Sequence, residues 1–462
     1  MYRGLAPGRP QYRTPHSQAA RLLVNTRQCR VQHSRLAVRE HNSQSTGKTP
    51  MRCTLQDVFV EHFDAYAAQR VLHSRERRAA WCIRHCFTAA MGTHLLVCPN
   101  GHFQQLQYHA CRHRSCPRCA QAPRCAWIDA ELQRLLPCPH FHAVFTLPHE
   151  LLPLWAFNRR LMADLLMNCV RESLMQMLAT PRHGGIVPGL LMALHTWGRD
   201  LSYHPHVHCL LSAGGLDDQD RFKPLSQRWL LPLPPLRKLF CGKLLAGLKQ
   251  LVASAEFILP PRQPLEHWLD CIRGLYAKHW NIEIQPPYSH ASGVALYLAR
   301  YVKGGPIPAD RPLSMDSSGL VRMPYFEHRS QRRMTLCLPA SQFIERVLWH
   351  APPDGLHLVR RAGLYCSALR AQHQRLLEQL HQPAPPPQLQ TLASHALPDN
   401  PNAPRCPHCS AVLQLASRSP PHAPDDQISL ALRSLPTPPP AHLGPTQRST
   451  GPPAVWPGSS LH

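Results

Sequence analysis

Apolar side chains recur every three or four positions through LQDVFVEHFDAYAAQRVL, from Leu55 to Leu72, and that spacing predicts an amphipathic helix. QAPRCAWIDAELQRLL, ending at Leu136, reads the same way. The period then drops to two. In FHAVFTLP, Phe141, Ala143 and Phe145 alternate with His142, Val144 and Thr146, which predicts a strand that Pro148 ends. A long helical stretch follows from Leu151 to Leu178, with Leu154, Trp155, Leu161, Met162, Leu165, Leu166 and Leu174 on one side. Two strands, Leu190 to His195 and His206 to Ala213, are joined by a polar loop, and Gly214 and Gly215 close the second. WLLPLPPLRKLFCGKLLAGLKQLVASA opens on proline turns and becomes helix. SGVALYLARYVKGG reads as a helix stopped by Gly304 or Gly305.

The two ends do not share this periodicity. Residues 1–52 mix Arg, Gln, Ser and Pro with few large apolar side chains, which predicts a disordered basic arm. Residues 376–462 read as a Pro-rich, mostly disordered tail: the last 82 residues hold 19 of the 49 prolines. One ordered island, CPHC at Cys406 to Cys409, interrupts it. Between the ends, 53–136 reads as a helical and zinc-binding domain and 137–375 as a catalytic domain.

Charge adds a partner. Lys and Arg number 51 against 27 Asp and Glu, a net charge of +24, with dense spots in RERRAAWCIRHC and HRSQRR. Such a field favours a polyanion, and nucleic acid is the common one. No apolar run is long enough to span a bilayer, and the N-terminus lacks the apolar core of a secretory signal. A soluble cytoplasmic, nucleoid-associated protein is therefore expected.

The cysteines point to metal. Of 18, four fall between Cys98 and Cys119, a clustering that suits zinc in a reducing compartment better than a disulfide framework. Cys116 and Cys119 form a C-x-x-C knuckle, and tetrahedral zinc needs a second pair. Cys98 with His102 is the first choice, Cys98 with Cys111 the alternative. Arg112, Arg114 and Arg118 stand beside the knuckle as phosphate contacts. The lone CPHC lacks its other half unless His395, His408 or His422 supplies it.

HPHVHC puts His206 and His208 on one face of a strand, and His195 on the neighbouring strand is the candidate third ligand for a catalytic divalent ion, Mg2+ or Mn2+. Downstream, Tyr297 and Tyr301 share a helix face. Taken alone, Val294, Tyr297, Leu298 and Tyr301 repeat as any core-facing helix does. The histidine strand upstream and Arg300 and Lys303 nearby shift the reading to a pair of phenol nucleophiles with DNA-contacting cations beside them. Tyrosinate attack on a phosphodiester gives a 5′-phosphotyrosine and a 3′-hydroxyl, conserving the bond energy for rejoining. Trp197 reads as a packing residue, with base stacking as the alternative role.

These residues resemble a known family, the HUH-type two-tyrosine transposases of rolling-circle insertion sequences, the IS-ninety-one-like group. The resemblance covers residues 55 to 375 and rests on CRHRSCPRC, LLPCPHFHAVFTLPHEL, LHTWGRDLSYHPHVHCLLSAGGL, YLARYVKGGPI and FIERVLWHAPPDGLHLVRRAGLY. It implies that His206 and His208 are metal-binding, that Tyr297 and Tyr301 are the paired nucleophiles, and that the cysteine cluster is a structural zinc-binding domain. FTLP matches the first strand motif shared with rolling-circle replication initiators. CPNGH carries one cysteine where the family often has two, which leaves the fourth zinc ligand open; the resemblance does not fix the third catalytic ligand. The expected fold is α/β (α+β): an HUH nuclease with a mainly antiparallel central sheet flanked by helices, preceded by a small zinc-binding domain. The expected function is nicking and rejoining of single-stranded DNA at element ends and target. The alternatives are an inactive zinc-dependent DNA-binding protein and a rolling-circle replication initiator.

Overall fold

The computed structural model describes residues 50–226, 230–288, 304–327, 330–380 and 404–420. After a short strand, β1 (Met51–Cys53), helix α1 (Leu55–Ala67) starts at a capping box. Thr54 Oγ1 accepts from the Asp57 backbone N–H at 3.2 Å, and Asp57 Oδ2 accepts from the Thr54 N–H at 2.8 Å. The periodic positions Leu55, Val58, Phe59, Phe63 and Tyr66 are buried. They pack on Ala79, Ala80 and Ile83 of α2 (Ser74–His85) and on Phe343, Ile344, Val347 and Leu348 of a helix far downstream.

Strands β2 (Thr93–Val97) and β3 (Gln104–Tyr108) form a hairpin, and α3 (Pro117–Leu132) follows with Pro117 in its first turn, where a missing N–H costs nothing. Strand β4 (His140–Thr146) leads into α4 (Leu152–Phe157) and α5 (Arg159–Ala179). One helix was expected here. Asn158 divides it, because its buried side chain serves another segment: Nδ2 donates to Leu154 O at 3.0 Å and Ile258 O at 2.7 Å, and Oδ1 accepts from Ile258 N–H at 2.8 Å.

Strands β5 (Val187–Trp197), β6 (Tyr203–Leu216) and β7 (Phe222–Pro224) come next, then α6 (Leu233–Val252), α7 (Leu265–Leu275) and β8 (Ile282–Tyr288). The glycines expected to close β6 lie within it. A Cβ on Gly215 would sit 2.3 Å from Val187 O, so glycine permits close strand approach here rather than ending the strand. Strands β9 (Leu313–Met315), β10 (Leu320–Glu327) and β11 (Arg332–Pro339) precede α8 (Ala340–Trp349), β12 (Val359–Gly363), α9 (Arg370–Leu380) and β13 (Gln414–Ser419).

The central sheet runs β12-β5-β6-β4-β8, antiparallel at every pairing, with β7 on the end of β6. This is the α+β fold with a mainly antiparallel sheet that the sequence predicts. One face buries Phe141, Ala143, Phe145, Leu190, Met192, Leu194, Val207, Cys209 and Leu211 under α5, α6 and α7. On the other face Leu191, Ala193 and Leu210 pack with Leu364, Tyr365 and Leu376. Arg361 on β12 clamps the buried carboxylate of Glu131 on α3, with Nε 2.8 Å from Oε1. The histidines occupy the rest of that second face. A smaller sheet, β1-β9-β10-β11, closes the α1–α2–α8 core, which draws residues from both sides of the 136/137 boundary. A third sheet, β13-β2-β3, joins the island of the tail to the N-terminal hairpin.

Candidate functional site

His195 and His206 are direct cross-strand partners on β5 and β6, and His208 lies two residues on along the same face. Their ligand nitrogens all lie within 4.8 Å of one another. The period of two thus places the two expected imidazoles, and the antiparallel register brings the third across.

Hydrogen bonds orient two of the rings. His206 Nδ1 donates to the His204 carbonyl at 2.6 Å, which directs its Nε2 lone pair into the cluster. Gln285 on β8 donates Nε2–H to Glu283 at 3.3 Å, so its Oε1 accepts from His142 Nδ1 at 3.0 Å. His142 Nε2 is then an acceptor, filled by His208 Nδ1–H at 3.0 Å. His208 Nε2 is left facing His206 Nε2 at 3.0 Å. Two imidazole lone pairs at that distance repel unless a cation lies between them. Burial holds His206 down to about 4 and His208 well below the usual imidazole range, so both stay neutral, the ligating form, at ordinary pH. Trp197 lies flat on His195, ring centroids 4.4 Å apart, and packs edge-on near His350. It packs against the candidate third ligand.

A second constellation gathers Cys86, Cys111, Cys116 and Cys119, sulfurs within 4.8 Å of one another and Cys111 3.5 Å from Cys119. The backbone N–H of Cys111 points at Cys86 Sγ and that of His113 at Cys111 Sγ, both at 3.5 Å. Hydrogen bonding from Cys111 pulls Cys119 far below the ordinary thiol range, while Cys111 is pushed up by its thiol neighbours Cys116 and Cys119. Four thiols this close fit tetrahedral zinc.

This corrects the expected zinc set. Cys116 and Cys119 close with Cys111 and Cys86, not with Cys98 and His102. The reason is the hairpin. Cys98 and His102 sit in its tip turn while Cys111 follows its base, and five residues at about 3.4 Å each put the two ends roughly 17 Å apart. Cys86, which caps the C-terminal end of α2, was missed; its signal is a thiol at the end of RERRAAWCIRHC. Cys98 and His102 instead meet Cys406 and Cys409 of the CPHC island. His408, considered for that island, sits in its turn and is outside the ligand group; His395 and His422 lie outside the described residues.

Of the arginines beside the knuckle, Arg112 is exposed with a left-handed backbone, φ 53°. Arg114 is half-buried, and burial lowers its guanidinium to about 10. Arg118 is engaged: it donates to Gln56 and to Cys86 O, and covers the Phe87 ring at 5.5 Å. Tyr297, Tyr301, Arg300 and Lys303 lie outside the described residues. Among the described residues no helix is long and apolar enough to cross a membrane.

Comparison with known proteins gives two family matches. Residues 189–373 match a family described as "Putative transposase", and residues 58–147 match the family described as "Transposase zinc-binding domain". Among curated proteins, the chain is 30% identical over 332 residues to the "Putative transposase y4qJ" of Sinorhizobium fredii, which is 68% of this chain and 81% of that one. It is 30% identical over 303 residues to the "Transposase for insertion sequence element IS801" of Pseudomonas savastanoi pv. phaseolicola, 62% of this chain and 70% of that one. No solved structure matches the chain.

Proposed function

The chain belongs to the IS-ninety-one-like family of insertion-sequence transposases with an N-terminal zinc-binding domain, and on that premise we propose that it nicks and rejoins single-stranded DNA at the element's ends through 5′-phosphotyrosine links. Tyr297 and Tyr301 are the proposed nucleophiles, and His195, His206 and His208 the proposed ligands of a catalytic Mg2+ or Mn2+. The observation that carries the reading is the pair of Nε2 atoms of His206 and His208, held 3.0 Å apart by hydrogen bonds behind each ring. When bound, the divalent ion supplies Lewis-acid stabilisation of the charge on the scissile phosphate.

The protein's own groups do the rest. A tyrosine hydroxyl loses its proton and its oxygen bonds to phosphorus; the bond from phosphorus to the 3′-oxygen breaks, and that oxygen leaves as a hydroxyl. A 3′-hydroxyl reversing the step joins a new strand and restores the tyrosine. Two phenols allow two links at once, one to a donor end and one to a target end. His142 and Gln285 hold His208 in its ligating tautomer. The basic field of +24 draws the strand in, with Arg112, Arg114, Arg300 and Lys303 as proposed phosphate contacts.

Labelled single strands carrying the element's own ends test this. The expected result is a covalent protein–DNA adduct that needs Mn2+ or Mg2+ and is lost in Tyr297→Phe with Tyr301→Phe and in His206→Ala with His208→Ala. Binding of matched DNA without an adduct under any metal condition would leave a DNA-binding protein and sink strand cleavage.

A further inference from the structure

We propose that Cys98, His102, Cys406 and Cys409 form a second structural zinc site, separate from the Cys86 cluster, which clasps residues 404–420 onto the N-terminal hairpin. Nothing in this proposal depends on strand cleavage. Cys406 and Cys409 also lie beyond both family-matched spans, which end at 147 and 373.

The four ligand atoms lie within 4.8 Å of one another, with Cys98 Sγ 3.5 Å from Cys409 Sγ. Cys98 and Cys406 are buried. Two turns built alike present the sulfurs. In the hairpin tip, Cys98 N–H donates to Phe103 O at 2.8 Å, Gly101 N–H returns to Cys98 O at 2.9 Å, and Gly101 takes φ 74°. In the island, Cys406 N–H donates to Ala411 O at 2.8 Å, Ser410 N–H returns to Cys406 O at 2.9 Å, and Ser410 takes φ 57°. N–H groups then point at sulfur: His408 N–H at Cys406 Sγ, 3.4 Å, and Asn100 Nδ2–H at Cys409 Sγ, 3.5 Å. These bonds favour thiolate over thiol. Three thiolates and one imidazole make a ligand set for tetrahedral zinc.

Packing alone does not explain the contact. Strand β13 pairs with β2 from Gln414↔Val97 to Ser419↔Thr93, yet every residue of β13 is exposed. The apolar centre is Cys98, Cys406 and Leu413, with Leu96, Phe103 and Cys409 at its edge. So small a core does not offset the entropy of ordering residues 404–420. Zinc does, by binding four side chains at once as three thiols release their protons. A Cys98–Cys409 disulfide would use two of the four ligands and leave His102 and Cys406 without a role.

The test uses the full chain, purified under reducing conditions. Zinc per chain should fall by one in Cys406→Ser with Cys409→Ser, while the Cys86 cluster keeps its ion and the far-ultraviolet circular dichroism stays that of the parent. His102→Cys should keep the ion, and the cobalt-loaded form should show a stronger thiolate-to-metal band. In a second measurement a specific protease site is inserted between Pro386 and Pro387. After cutting, the C-terminal fragment should co-elute with the body on gel filtration until a chelator is added, and should separate without chelator in the double serine variant. Unchanged zinc content in that variant overturns the proposal. So does a fragment that stays after zinc is stripped, that leaves with zinc present, or that is released by reductant alone.

Discussion

His142 bonds His208 Nδ1 at 3.0 Å and so decides which nitrogen of His208 carries the proton. Removing it should free that ring to flip or change tautomer. His142→Ala is expected to weaken Mn2+ binding by about 10–100-fold, as loss of an outer-sphere partner does elsewhere. His142→Gln, which can still accept from Nδ1, should recover part of it. Titration calorimetry on both variants checks this, and equal affinity in all three proteins would remove His142 from the site. A second residue-scale effect concerns pH. Burial lowers His140 to about 4 and His350 to about 3 from the ordinary 6.5. Tyr365 OH bonds His140 Nε2 at 2.6 Å, and His350 Nε2–H donates to Leu201 O at 3.3 Å, so both rings sit neutral in the fold. Below pH 6.5 the unfolded chain takes up protons that the folded one refuses. Stability is therefore full above that value and falls with pH down to the folded values, by up to about 1.4 kcal/mol per unit per group. Denaturation midpoints in metal-free buffer from about pH 7.5 to about pH 5 should show that slope, and His350→Gln should make it shallower by one group's share. At this scale the His206–His208 pair was legible because a strand has a period of two. Cys86 was not, since a single thiol carries no period.

Among the elements, patterning located the central strands and helices and misjudged where they stop. Period and composition report which face is buried. They do not report a side chain spent on a distant backbone, and that is what Asn158 does at the α4–α5 break. Its bond to Leu154 O is buried and its two bonds to Ile258 are half-buried, and Ala there would remove the partner of Ile258 N–H and C=O. Asn158→Ala should cost about 1–3 kcal/mol, read as a shift in urea midpoint at unchanged slope. A loss within error would mean water replaces the amide. Gly215 taught the same lesson in the strand: a residue read as punctuation is an interior position where Val187 O comes too close for a Cβ.

For the molecule as a whole, the sequence made the transposase family legible and concealed the long-range assembly. The α1–α2–α8 core unites helices some 270 residues apart, and amphipathic faces do not name their partners. The two halves of the Cys98–Cys406 group lie further apart still, which is why each half looked incomplete alone. That separation has a consequence for biosynthesis. Translation proceeds at roughly 5–20 residues per second, so the hairpin thiols emerge on the order of 15–60 s before CPHC exists. During that interval Cys98 is open to oxidation or to a stray metal ion. A nonsense codon anywhere between 381 and 405 would still encode every strand of the central sheet, and the shortened product would lack the ligands that join its ends.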